Sequence, residues 1–294
     1  MKFIILFLIA PILTVGQSTY KGTIINKKTK EKISFATVGL IKENIGTNAA
    51  EDGNFILVSK NEKLNDTLIF SCIGYLTLKY PVDKNNLRSL SIELEEKVNE
   101  LSEVVITNKT SWIFKTLNDF SKCGNSFVGS GGYQTQLAQH FQVPEDNSIL
   151  TEIKICRMGF GLIEPEKTIF RIRIYNIDTL TKAPSNDLCD QVIEVKTRSK
   201  TISLYLEKYK INIPNKDFFV AIEWLKIPYN ENKNKTKQRD GKIIETISYR
   251  PSIGWTDNIS SKMDAWMLDY KNIWRPMFKM NDKTSVSISA TVKY

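Results

Sequence analysis

The 294-residue sequence predicts an all-β protein built from two consecutive β-sandwiches. Three observations carry this. From Tyr20 onward, apolar and polar residues alternate with a period near two over short runs, the mark of strands with one buried face. Those runs are rich in Val, Ile, Thr, Phe and Tyr and are separated by Gly, Asn, Asp and Pro. The alternation lapses between Asn108 and Ser130, which divides the chain into two strand-rich parts, each long enough to bury its own core.

The first segment, residues 1–16, reads as a secretory signal peptide. Lys2 supplies the positive n-region, Phe3 to Val15 the apolar stretch, and Thr14 and Gly16 the small residues before a cleavage point at Gln17. A membrane span needs about 20 apolar residues, and polar chain begins at Gln17. No Cys follows the leader, which argues against a lipoprotein, and no later stretch is apolar enough to cross a bilayer. The expectation is export to the periplasm or cell surface, with no transmembrane segment in the mature chain.

Residues 17–107 form the first predicted sandwich. Its strands are YKGTIIN, FATVGLI, NFILVS, DTLIFSCIGY, LTLKYPV, SLSIEL and LSEVVIT. Asn26 to Lys32 is a polar turn. Asp52-Gly53 is a hairpin signal, because Gly reaches positive φ at little cost. Gly74, inside a strand pattern, marks a bulge or a close backbone approach.

The ordered strings FATVGL, GTNAAEDGNF, SCIGY and LSEVVIT resemble the carboxypeptidase-like regulatory domain, a transthyretin-like β-sandwich of exported proteins from Bacteroidetes-type bacteria. The matching positions are Gly22, Ala36, Val38, Gly46, Thr47, Asp52, Gly53, Phe55, Ile73, Gly74 and Tyr75. The resemblance covers residues 20–107. It implies structural roles for these residues and no catalytic ones. In outer-membrane receptors that carry this domain, a plug and a large barrel follow. The chain after Thr107 is too short for both.

Residues 108–130 are a junction. SWIFKTLNDFSKCG reads either as a short helix capped by Ser111, with Ile113, Leu117 and Phe120 on one face, or as a strand followed by a Gly-rich loop. Residues 131–294 form the second sandwich, of jelly-roll type, with strands QLAQHFQV, TEIKICRM, IFRIRIYN, DQVIEVK, TISLYLE, DFFVAIEWL, IIETISY and VSISATVKY. This half also resembles an uncharacterised tail found behind the same regulatory domain, which supplies no functional residues.

The formal net charge is +9. Such an excess fits an anionic neighbour such as envelope polysaccharide, though the cations are mostly spread along the chain. The one dense run, Lys226 to Lys242, reads as a solvated loop, and beyond Tyr229 it lacks the stacking aromatics that nucleic-acid binding needs. Three complete pairings of Cys72, Cys123, Cys156 and Cys189 are open. Cys72, in the apolar run LIFSCIGY, reads as a small buried hydrophobe. At least one of the other three is then unpaired unless Cys72 crosses domains. No Cys or His spacing suggests zinc, and no cofactor motif is present.

The chain holds one His, His140, which rules out a two-His zinc peptidase, and no G-x-S-x-G elbow accompanies it. On LAQHFQV it shares a polar face with Gln136, Ala138 and Gln142. Glu223 lies opposite Phe218, Val220, Ile222 and Trp224, beside Phe219 and Ala221, with no second carboxylate placed near it by local spacing. In IFRIRIYN, Phe170, Ile172 and Ile174 face the core. Arg171, Arg173 and Tyr175 therefore form a donor-rich stripe directed outward or into a groove, where it suits carboxylates or sugar hydroxyls. Glu223 is placed to pair with one of these arginines across neighbouring strands.

Trp255, Trp266, Tyr270 and Trp274 form an aromatic cluster that either stacks on sugar or fills the core, and Trp266 and Tyr270 have helical spacing. Asp257, Asn258, Asp264 and Asp269 lack the regular spacing of a calcium loop. The sequence thus points to a non-catalytic exported protein. Its first sandwich docks or spaces, and its second binds a glycan or an envelope protein through Arg171, Arg173, Tyr175, Glu223, Trp255, Trp266 and Trp274. The enzymatic alternative is a glycosidase-type hydrolase using Glu223 or His140. A third reading is a purely structural assembly component, joined to its partners through open sheet edges.

Overall fold

The computed structural model describes residues 18–60, 65–82, 89–97, 111–124, 126–159, 166–256, 265–277 and 285–294. The leader, the run LSEVVIT, and Asp257, Asn258 and Asp264 lie outside the described residues. Among those described there is no α-helix, so none is long and apolar enough to cross a membrane. The described residues are almost entirely β, and among them single 3-10 turns lie at Glu207–Tyr209 and Pro228–Asn230.

The N-terminal sandwich comprises Ser18–Asn26 (β1), Thr37–Leu40 (β2), Ile45–Asn48 (β3), Asn54–Ser59 (β4), Asp66–Ser71 (β5), Leu78–Val82 (β6) and Leu90–Leu94 (β7). One sheet has the order β4-β1-β7, the other β3-β2-β5-β6. Alternation on β1 and β4 sends Tyr20, Ile24, Phe55 and Leu57 inward to meet Val38, Leu40, Leu68 and Phe70 from the facing sheet. The Phe55 and Phe70 rings close this core edge to face, 5.6 Å apart. Gly53 has φ +78 in a tight turn, in which the Ala50 N–H donates to the Asn54 carbonyl at 2.7 Å and the Gly53 N–H to the Ala50 carbonyl at 3.0 Å. The Asn54 N–H also donates to the Asp52 carboxylate at 3.0 Å, and this bond, above its other contacts, holds the Asp52 pKa below its ordinary value.

The C-terminal sandwich begins with Phe114–Leu117 (β8) and Phe127–Ser130 (β9), followed by Gln134–Gln142 (β10), Ser148–Met158 (β11), Thr168–Ile177 (β12), Pro184–Asp187 (β13), Ile193–Thr197 (β14) and Thr201–Tyr205 (β15). Asn212–Ile213 (β16), Asp217–Trp224 (β17), Glu231–Lys237 (β18), Ile243–Thr256 (β19), Ala265–Asp269 (β20), Trp274–Pro276 (β21), Ser285–Val286 (β22) and Ile288–Lys293 (β23) complete it. One sheet runs β13-β12-β17-β10-β20-β21 and the other β18-β19-β11-β23-β8. Their facing sides share one core, with Leu137, Phe141, Phe170, Ile172, Phe218, Ile222 and Trp224 against Ile153, Ile155, Ile253, Ile288 and Val292. Trp224 satisfies its indole N–H on the Pro251 carbonyl at 2.7 Å, as a buried Trp must.

Of the two readings of Ser111 to Gly124, the strand is realised as β8, whose Phe114 to Leu117 pair with Lys293 to Ala290 of β23. Two local expectations are corrected. The helical spacing of Trp266 and Tyr270 is not realised, because Trp266 lies in strand β20, paired with Ala138. A separation of four is even, so it also keeps one face of a strand. The run Lys226 to Lys242 is not all loop: its Glu231 to Lys237 form β18, paired with β19 from Glu231↔Tyr249 to Lys237↔Ile243. The disulfide left open by the sequence joins Cys123 to Cys156, and Cys72 and Cys189 are free and buried.

Candidate functional site

The alternation of β12 and β17 is as expected: Phe170, Ile172 and Ile174 enter the core, and Arg171, Arg173 and Tyr175 take the opposite face. That face is not open. Arg171, Tyr175 and Glu223 are all buried. The N-terminal sandwich covers the Arg171 end of the stripe, and Trp274 packs on Tyr175 at the other end. The Arg171 Nη2 donates to the Ser34 carbonyl at 3.0 Å and its Nη1 to Cys72 Sγ at 3.6 Å, while the guanidinium lies 5.4 Å from the Phe35 ring centroid. At Arg171 the stripe is therefore a seam between domains, and nowhere along its length is it an open binding face.

Within the seam the charges answer one another. Arg173 grips Asp187 bidentately, with Nε to Oδ1 at 2.9 Å and Nη2 to both oxygens at 2.7 Å. Its Nη1 stands 3.7 Å from Glu223 Oε1, which realises the cross-strand pairing read from the sequence. Arg171 Nε reaches Glu194 at 3.9 Å. Burial alone would weaken the Arg173 charge. Tyr175, Asp187 and Glu223 outweigh it and hold the Arg173 pKa above its ordinary value. Burial pushes the Tyr175 phenol up, and its hydroxyl donates to Gln136 Oε1 at 2.8 Å.

Phe35 anchors the apolar part of the seam. It packs with Ile169, Leu225 and Ile227 and holds φ +59, a left-handed conformation that is rare for a bulky side chain. Burying such a ring contributes about 1.5–3 kcal/mol, which offsets the strain. Further along, the Lys226 N–H donates to Asn48 Oδ1 at 2.8 Å, and the Asn48 amide nitrogen donates to the Phe35 carbonyl at 2.9 Å. Tyr270 lies against two glycines: an added Cβ would stand 2.7 Å from its ring at Gly39 and 2.2 Å at Gly46. The absent side chains are what admit the ring.

Lys226 itself is 3% exposed. Its Nζ donates to the carbonyls of Gly132 at 2.7 Å and Gly131 at 3.2 Å and sits 4.7 Å from the Tyr270 ring centroid. Burial without a facing carboxylate brings its pKa down to about 7. The signal for this was present in the sequence as Trp224-Leu225-Lys226-Ile227, an apolar frame around one cation. The dense basic run that follows obscured it.

The remaining expected residues do not converge. His140 Nε2 pairs with Asp217 Oδ1 at 2.9 Å. Gln136 is in register with Glu223, and His140 with Phe219. His140 and Glu223 are thus separated along the paired strands by four residues, about 13 Å. Trp255 belongs to the C-terminal core, whereas Trp266 and Trp274 are half-buried on the outer face of the β10–β12–β17 sheet. They meet Phe219 and Tyr175 edge to face, at interplanar angles of 85° and 76°. The three indoles form no common platform.

One cleft does carry mixed aromatic and polar chemistry. About 350 Å³ in volume, it is lined by Tyr133, Gln134, Trp255, Met267, Leu268, Asp269, Arg275, Pro276 and Met277. Tyr133 is half exposed. Arg275 pairs with Asp269, which also accepts from the N–H groups of Lys271 at 3.0 Å and Ile273 at 3.1 Å. Gln134 Oε1 is buried and accepts no hydrogen bond among the described residues. Sequence reasoning missed Tyr133, Gln134 and Arg275, because no local pattern brings them to Trp255.

No curated protein matches the chain. Among solved structures it is similar to the cysteine protease and lectin-like domains of Cwp84, a surface layer associated protein of Clostridium difficile, at TM-score 0.38 and 11% identity, over 61% of this chain and 36% of that one. It is also similar to the clostridial cysteine protease Cwp84 after propeptide cleavage, at TM-score 0.36 and 9% identity, over 94% of this chain and 70% of that one. The chain thus spans 36% of the length of the first of these structures. Residues 20–106 match the family model of the CarboxypepD_reg-like domain, and the two-sheet sandwich they build is that domain.

Proposed function

We propose that this chain is an exported, non-catalytic envelope protein in which the C-terminal sandwich binds a glycan while the CarboxypepD_reg-like domain docks and spaces it. The observation that carries this reading is the cleft between Tyr133 and Trp255. Its apolar walls suit the face of a sugar ring, and the exposed Arg275 guanidinium offers a donor to hydroxyls. Support for a non-catalytic role comes from the seam. Glu223 is buried with Oε1 facing Arg173 at 3.7 Å, and His140 is held by Asp217 about 13 Å along the strands from it. A general acid and base must share reach of one substrate atom.

A glycan array probed with the full chain tests this. Retention of defined saccharides is expected, without release of reducing sugar, and Tyr133→Ala should weaken retention roughly tenfold by removing the stacking face. Capture of an envelope protein with no saccharide retained would move the partner to that class. Hydrolysis that disappears in a folded Glu223→Gln variant would replace the binding role with an enzyme.

A further inference from the structure

A second cleft, about 450 Å³ in volume, shares no lining residue with the first. Glu166, Lys167, Arg198, Tyr229 and Arg250 line it. Tyr229 is 43% exposed, and the Lys196 amine stands 5.9 Å from its ring centroid. Lys167, Lys196 and Arg198 are all exposed. The single lining carboxylate, Glu166, is committed to Arg250.

Two arginines build this cleft from beneath. Arg157, only 1% exposed, donates from Nη1 to the carbonyls of Ser199 at 2.9 Å and Thr197 at 3.4 Å, one on each side of Arg198. Its Nη2 donates to the Glu166 carbonyl, next to Lys167. One buried side chain thus sets the spacing between the segments that present Arg198 and Lys167. Arg250 does the same for the ring: its Nη2 donates to the carbonyls of Tyr229 and Glu231, each at 3.1 Å.

The electrostatics point one way. Arg157 is held by main-chain carbonyls, and burial, then the Arg250 charge, bring its pKa down to about 10. It therefore remains a cation at neutral pH, with no carboxylate among its hydrogen-bond partners in the described residues. Lys167, Arg198 and Arg250 line the cleft beside the exposed Tyr229 ring against one lining carboxylate, Glu166, while Lys196 stands over the same ring on the side that faces Glu51. Fixed donors around a ring face suit a ligand with an apolar ring and an anionic substituent.

We infer that this cleft binds a negatively charged sugar unit, with the ring on Tyr229 and its carboxylate or phosphate between Lys167 and Arg198. The site is independent of the Tyr133–Trp255 cleft, and a Tyr133→Ala variant should leave it intact. Calorimetric titration of the full chain with oligogalacturonate, a hexose phosphate, inorganic phosphate and a neutral dextran oligomer tests it. One of the two anionic sugars should bind and the dextran should not, which also decides between carboxylate and phosphate. Arg198→Glu should weaken that binding about tenfold or more, and Tyr229→Leu about fivefold at unchanged charge. Both side chains are exposed, so the fold is retained, as thermal melting checks. Lys233→Glu with Lys235→Glu, on the exposed ribbon, should change it less than about twofold. Three results would overturn the site: neither anionic sugar binding, Tyr229→Leu binding as wild type, or the ribbon variant weakening binding as much as Arg198→Glu. The last would reveal a diffuse field. Inorganic phosphate binding as tightly as the sugar would likewise remove the ring from the proposal.

Discussion

Asn48 and Lys226 are joined across the two sandwiches through their main chains and one amide. The Lys226 N–H donates to Asn48 Oδ1 at 2.8 Å, and the Asn48 N–H to the Lys226 carbonyl at 3.4 Å. Both residues are buried, so truncation leaves an N–H group without a partner and without water. Asn48→Ala should lower the unfolding free energy by about 2–3 kcal/mol, read as a lower urea midpoint at unchanged slope. A change under 0.5 kcal/mol would mean that this pair does not hold the seam.

The approach of Tyr270 to Gly39 makes a second prediction. A Cβ at Gly39 would stand 2.7 Å from the Tyr270 ring. Gly39→Ala should cost about 1–3 kcal/mol by overpacking. In a Tyr270→Ala background most of that penalty should vanish, because the space is vacated. A double-mutant cycle with coupling near zero would place the strain elsewhere.

Lys226 gives stability a pH dependence of definite sign. In the fold its pKa is about 7, against 10.5 for the ordinary side chain. Between these values the unfolded chain binds the extra proton, so stability rises with pH, by up to about 1.4 kcal/mol per unit. Below pH 7 both states are protonated, the slope disappears, and the cost of the buried charge is fully present. Lys226→Met should be more stable than wild type at pH 6, with the difference shrinking toward pH 10. A difference that grows with pH would contradict the assignment.

Arg173 stands between Asp187 and Glu223. Removing it leaves the buried Glu223 and the half-buried Asp187 without their shared cation, and Arg173→Leu should destabilise by about 3 kcal/mol. An outward binding stripe would instead tolerate Arg173→Ala with little change in thermal unfolding, which is what the sequence alone suggests. Thermal melts of the variant separate the two pictures.

The cysteines offer a chemical check. Burial raises the Cys72 and Cys189 pKa values, which disfavours the reactive thiolates. Thiol titration of the native protein should find neither, and titration in denaturant should find both. Cys156→Ser, which opens a loop with a sequence separation of 33, should cost roughly 3–4 kcal/mol.

Much of the fold was legible because alternation is a local property. It assigned both faces of β12 and β17 and grouped His140 with Gln136 and Ala138 on one face of β10, away from the core residues Leu137 and Phe141. What covers a face is not local. Nothing near Arg171 announces that Ser34, Phe35 and Cys72, remote in sequence, will close over it. Gly39 and Gly46 read as ordinary strand or turn glycines until Tyr270 is seen against them. The Lys167–Arg198–Tyr229 cleft is likewise invisible in the chain, because Arg157 assembles it through main-chain carbonyls that any residue could supply.

The two sandwiches are sealed together along Arg171, Asn48 and Tyr270 and should therefore unfold as one body. Differential scanning calorimetry of the intact chain measures this most directly. A single transition is expected, with calorimetric and van't Hoff enthalpies in agreement, displaced as a whole by Asn48→Ala. Two resolved transitions, with only one of them responding to that substitution, would contradict it.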